Sequence, residues 1–304
     1  MAFKKAVKYG SFLRMAIAGP AGSGKTWTAL TLASVLAGEG EIAVIDTEHG
    51  SASKYADQFL FDTQELTNFN PNNYMAAIKE AEQAGYAVLI IDSLSHAWTG
   101  SGGLMEQKDI IAKQKYSNNG FSAWLDAGKI QNNLVNTILS SKMHIIVTVR
   151  SKMEYVVEPI NGKQTPRKVG LAPVQRDDLP YEFDVFATME NDNTMIVDKS
   201  RCPQLSGQVI AKPGAEVATV LKAWLDGEPA PELPAPALAQ EPTPIPARTV
   251  NPDGPATEQQ IATIGKLQKQ LGEEPANLEG LGFEDCAALL REYNQRLQEK
   301  RKSA

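Results

Sequence analysis

The stretch Gly19-Pro20-Ala21-Gly22-Ser23-Gly24-Lys25-Thr26 constrains this chain more than any other. It follows the pattern G-x-x-x-x-G-K-[ST] of a phosphate-binding loop. Its glycines let the backbone turn tightly and aim N–H groups at phosphate oxygens. Lys25 would reach the outer phosphates as a point charge, and the Thr26 hydroxyl would ligate Mg²⁺. The apolar run at 12–18 predicts a strand before the loop. Ala29, Leu32, Ala33 and Leu36 predict the inward face of a helix over 28–37 behind it. Strand, glycine loop and helix together aim a helix N-terminus at an anion.

The chain downstream alternates strands and helices. Residues 42–45 read as a buried strand running into Asp46-Thr47-Glu48-His49-Gly50, and carboxylates at such a strand end sit where ligands bind in open α/β sheets. Tyr74, Ala77, Ile78 and Ala81 predict a helix introduced by Pro71-Asn72-Asn73 and stopped by Gly85. Residues 87–93 form an apolar strand ending in Asp92, which fits the acid that holds a nucleotide's Mg²⁺. Residues 99–122 are polar and glycine-rich and read as a mobile excursion. A helix over 123–141 and a strand over 143–149, ending at Arg150, follow. The expected fold is α/β, a mostly parallel sheet with helices on both faces.

Residues 151–180 break that rhythm, carrying Lys152, Lys163, Arg167, Lys168 and Arg176 among prolines. Two readings stand: a long functional loop meeting phosphates, or a β-hairpin turning at Asn161-Gly162 with solvated charges. Strands over 185–189 and 194–198 around Asn191-Asp192-Asn193, a strand over 208–211 and a helix over 215–225 close the core. Residues 227–256 are Pro/Ala-rich and predict an extended linker that cannot pack a core. The capping box Thr257-Glu258-Gln259-Gln260 then opens a helix, and 283–296 forms a second. The expected division is a core at 1–226, a linker at 227–256 and a small helical module at 257–304, which is too small for a strong core of its own.

Bulk properties narrow the function. A net charge of −6 gives no global field for nucleic acid, so any such contact must be local. Cys202 and Cys286 lack metal-ligand spacing and suit a reducing compartment. His49, His96 and His144 show no ligand spacing either and are expected to be structural. Lys4, Lys5 and Lys8 make the first residues basic, read as a solvated terminus or as an arm meeting nucleic acid or a neighbouring subunit. With no leader and no membrane-length apolar run, a soluble cytoplasmic protein is expected.

The motif set resembles RecA-like P-loop ATPases. Val44-Ile45-Asp46-Thr47-Glu48-His49-Gly50 is similar to the element in which a glutamate polarises the attacking water, and Leu89-Ile90-Ile91-Asp92-Ser93 is similar to the family's Walker B strand. Residues 144–152 and the run PRKVGLAPVQRDDLPYEFDVF resemble phage-encoded RecA-type ATPases linked to single-strand annealing; the resemblance covers about residues 10–226. It implies ATP and Mg²⁺ as cofactors, bound over Gly19, Pro20, Ala21, Gly22, Ser23, Gly24, Lys25 and Thr26, with Thr26 and Asp92 serving the metal. Glu48 is the implied base, and Arg150 falls where the family has a γ-phosphate sensor, usually glutamine. Lys199 and Arg201 resemble the K-x-R strand end that reaches a neighbour's ATP site. Lys163, Arg167, Lys168 and Arg176 lie where RecA proteins place a DNA-binding loop, with Tyr155 a candidate stacker.

The implied function is DNA-stimulated ATP hydrolysis in phage recombination or single-strand annealing. The protein would bind single-stranded DNA as a homo-oligomeric filament or ring in the host cytoplasm, with no membrane partner. Two alternatives remain open here: a helicase or helicase-loading ATPase, and a nucleotide-switched module recruiting a single-strand binding protein or nuclease through its C-terminal helices.

Overall fold

A computed structural model describes residues 11–160, 163–229, 231, 255–256, 258–273, 278 and 280–302, with side chains described for all of these except 153–169, 258–259 and 298–302. Lys4, Lys5, Lys8, the Asn161-Gly162 turn, most of 227–256 and Thr257 fall outside the described residues. So do the side chains of Tyr155, Lys163, Arg167 and Lys168.

The chain divides into two compact units, Met1–Pro236 and Ala237–Ala304. The first is built on β1 (Arg14–Gly19), β2 (Ile42–Asp46), β3 (Asp62–Glu65), β4 (Val88–Asp92), β5 (His144–Ile160), β6 (Lys163–Pro173), β7 (Val185–Met189), β8 (Thr194–Ser200) and β9 (Val209–Ala211). The sheet order is β3-β2-β4-β5-β1-β7-β8-β9, with β6 paired to β5. Pairings among β3, β2, β4, β5, β1 and β7 are all parallel. The pairs β7–β8, β8–β9 and β5–β6 are antiparallel.

Every residue of β1 is buried, which is how a strand covered on both faces must read. Met15 and Ile17 enter one core with Leu30 and Leu32 of α1 (Lys25–Ala37) and Leu221 of α7 (Ala215–Asp226). Ala16 and Ala18 enter the other, with Ile78 of α2 (Pro71–Ala84) and Leu134 of α5 (Gly120–Ser140). Each fully buried Leu or Ile contributes about 1.5–3 kcal/mol. The parallel register matters most for function. It aligns Gly19 with Arg150 and Asp46 with Asp92, so loop and charged strand ends emerge along one sheet edge.

One stretch differs from expectation, and one of two open readings is decided. Residues 99–122 are largely helical: α3 (Ser95–Thr99) is followed by α4 (Leu104–Lys115), and α5 begins at Gly120. On α4 only Leu104 and Ala112 are buried, too thin a stripe to read from sequence. Trp98 stacks on Trp124 at 5.8 Å, joining the α3 and α5 ends of this excursion. The Asn119 side chain accepts from Phe121 and Ser122 N–H and so caps α5. Residues 151–173 form a hairpin rather than a loop, with Ser151 opposite Pro173 and Ile160 opposite Lys163. β5 crosses Arg150 without ending there. The short α6 (Leu179–Glu182) follows. β3, an exposed edge strand of sequence DTQE, carries no apolar alternation and gave no signal.

The second unit holds α8 (Glu258–Leu271) and α9 (Phe283–Lys302) around Ile264, Leu267, Cys286 and Tyr293. Gln268 spends its amide on the Tyr293 hydroxyl at 3.0 Å. Among the described residues no helix is long and apolar enough to cross a membrane.

Candidate nucleotide site

The loop between β1 and α1 is formed as a phosphate cradle. Gly22 and Gly24 lie at φ +81° and +85°, where an L side chain is strained, and Gly24 is the N-cap of α1. Ser23 Oγ donates to the Pro20 carbonyl at 2.9 Å, and Lys25 Nζ donates to the same oxygen at 2.7 Å. Burial lowers the Lys25 pKa, against the opposing pull of Asp92 and Glu48. An anion would repay that burial.

Asp92 closes the site from β4. The residue is 3% exposed, and its carboxylate accepts from Thr26 Oγ1 at 2.6 Å on one oxygen and from Thr148 Oγ1 on the other. Burial pushes this carboxyl up, and the two hydroxyls pull it down. A buried carboxylate beside a hydroxyl is a hard oxygen donor set that suits Mg²⁺. Such an ion is completed by phosphate oxygens and water, so it needs no cage of three protein ligands. Among the described residues no cluster of three or more His, Cys, Asp or Glu forms one.

Glu48 follows β2 and meets Arg150 in a two-point ion pair. Arg150 Nε donates to Oε1 at 2.7 Å and Nη2 donates to Oε2. Burial raises the Glu48 carboxyl, but the bond and charge of Arg150 outweigh it and hold it below the ordinary range. The turn that carries Glu48 is fixed by Asp46, whose carboxylate accepts from Glu48 N–H at 2.6 Å and Ala52 N–H at 3.1 Å. Arg150 N–H donates to Ser95 Oγ at 2.9 Å.

Beside the loop lies a cavity of 610 Å³, lined by Lys25, Thr26, Trp27, Tyr55, Asn193 and Lys212 among others. Trp27 packs edge-on against Tyr55 at 5.6 Å, offering an apolar wall. Asn193 and Lys212 both adopt positive φ and are joined by Lys212 N–H donating to the Asn193 carbonyl.

The structure thus brings together the loop, Thr26, Asp92, Glu48 and Arg150. It brings the remaining sequence candidates to other places. Lys199 Nζ donates to the carbonyls of Tyr181 at 2.7 Å and of Phe183. Arg201 pairs with Asp184 at 3.1 Å. Arg176 pairs with Asp178 and donates to Asn132 Oδ1 at 3.0 Å, well engaged within its own chain. Thr148, Asn193 and Lys212 were not anticipated. Only Thr148 left a trace, as a polar residue inside an apolar strand.

Sheet, loop and acid define a P-loop nucleotide-binding ATPase. A family model described as an AAA domain matches residues 11–215, and the chain belongs to that family. No curated protein matches it.

Proposed function

We propose that this ATPase hydrolyses Mg²⁺-bound ATP under the control of single-stranded DNA, acting as a homo-oligomer in recombination or annealing. One observation carries the reading. Arg150 holds the candidate base Glu48, and the same strand continues from Arg150 without a break into the β5–β6 hairpin, whose sequence bears Lys152, Lys163, Arg167 and Lys168. The strand is a direct covalent connection between the tip of the hairpin and Arg150, with one register irregularity at Glu154/Tyr155.

In this reading Mg²⁺, when bound, neutralises charge developing on the transferred phosphate. Gly22 and Gly24 turn loop N–H groups to the phosphates, and Lys25 leaves the Pro20 carbonyl to clamp them. A γ-phosphate competes with Glu48 for Arg150, and DNA on the hairpin completes the release. The freed carboxylate then orients water, a contribution of about 10²–10⁴-fold. The aromatic wall of Trp27 and Tyr55 receives the base. Assembly would supply a further cation. Arg201 suits that role better than Lys199, because its exposed pair with Asp184 is worth only about 0–1 kcal/mol.

Binding to a fluorescent oligonucleotide across a salt series tests the DNA partner. Affinity should fall steeply with salt, and alanine at Lys163, Arg167 and Lys168 together should flatten the slope. Binding that is indifferent to salt and to the triple variant would remove DNA from the account.

A further inference from the structure

The turn after β2 and the turn after β4 carry the candidate base and the metal acid, and one hydroxyl ties them together. Thr47 Oγ1 accepts from Ser93 N–H at 2.8 Å and lies 3.1 Å from the Ser93 carbonyl oxygen. It stands 2.7 Å from His96 Nδ1. Thr47 N–H also donates to the Asp92 carbonyl at 2.8 Å. Thr47 and Ser93 are 1% and 0% exposed, so neither can fall back on water. His96 stands on α3, stacked on Phe69 with ring centroids 4.8 Å apart.

Thr47 has one proton to give and two neighbours able to take it. The Ser93 carbonyl already accepts from the Tyr74 hydroxyl at 3.3 Å. The Thr47 hydroxyl is within donating distance of that carbonyl, and its shortest contact is to His96 Nδ1, which binds it in either tautomer. Without that nitrogen the Thr47 hydroxyl keeps only its bonds to Ser93, and the link from the Thr47 turn to α3 is lost.

We infer that His96 is a positioning residue for hydrolysis. Through Thr47 it fixes the spacing between Glu48, the next residue along, and Asp92, the residue before Ser93. Its action runs through the Thr47 hydroxyl. This rests on the ATP-hydrolysis reading above.

The test is steady-state ATP turnover and nucleotide affinity for the full chain and three variants. His96→Phe keeps a ring on Phe69 and removes the nitrogen. His96→Asn keeps a hydrogen-bonding atom on the same side of the residue. Thr47→Val keeps the volume of the threonine and removes its hydroxyl. The expected result is a fall of about tenfold in kcat for His96→Phe and for Thr47→Val, the size of one lost net hydrogen bond. KM and nucleotide Kd should stay within about twofold, and His96→Asn should recover most of the rate. The double variant should be no worse than either single one, because both remove the same contact.

Unchanged kcat in His96→Phe, with the wild-type chain turning over, overturns this inference alone. So does a His96→Phe loss that His96→Asn fails to recover, or a loss that appears in Kd and thermal stability rather than kcat. A wild-type chain that binds ATP but never hydrolyses it overturns the ATPase reading and the role of His96 with it.

Discussion

Asp92 illustrates how much a single buried carboxylate asks of its neighbours. Thr148 sits in the parallel strand beside it, and its hydroxyl is the only bond to one carboxylate oxygen among the described contacts. Thr148→Val preserves shape and leaves that oxygen without a donor, at a cost of about 1–3 kcal/mol in urea unfolding. An unchanged midpoint would mean that the oxygen finds another partner. His144 gives a pH signature. Its Nδ1 accepts from Leu13 N–H at 3.0 Å, and burial, reinforced by Arg14, lowers its pKa. The unfolded chain therefore takes up the proton first. Stability should be full above the ordinary histidine value of about 6.5 and decline as pH falls through the folded value. Urea midpoints at pH 7.5 and 5.5 should differ, and His144→Asn, which keeps an acceptor but does not titrate, should narrow the gap. A gap that His144→Asn leaves intact would assign the slope to another group.

In the proposed function, the hairpin of β5 and β6 is the element on which coupling to DNA depends. Lys152 and Ala172 are opposite one another near its base, so residues 153–171 can be replaced by an Asn-Gly turn that suits a two-residue connection. The shortened protein should fold and hydrolyse ATP at its basal rate while losing stimulation by DNA. Retained stimulation would move the DNA contact elsewhere on the molecule. At this scale the sequence was uneven. β1, β2 and β4 were legible because strands buried on both faces are continuously apolar, and α2 because Tyr74, Ala77, Ile78 and Ala81 recur at helical spacing. α4 buries too little to leave a stripe, and β3 is recruited as an edge by pairing with β2, with no burial to mark it. The candidate site followed the same logic. Lys25, Thr26 and Asp92 belong to contiguous motifs. Asn193 and Lys212 reach the cavity from the far side of the chain and only folding reveals them.

For the molecule as a whole, a single sheet edge collects the phosphate loop, the candidate metal acid, the candidate base and the root of a basic hairpin. The central claim is that these parts work as one machine, in which DNA at the hairpin releases Glu48 from Arg150. Steady-state ATP hydrolysis with and without single-stranded DNA, for wild type, Glu48→Gln and Arg150→Ala, tests it most directly. The account predicts that DNA stimulates the wild type and that Glu48→Gln still binds ATP but loses turnover. It also predicts that Arg150→Ala has the same rate with and without DNA. Wild-type turnover that ignores DNA, or Glu48→Gln hydrolysing as fast as wild type, would contradict it.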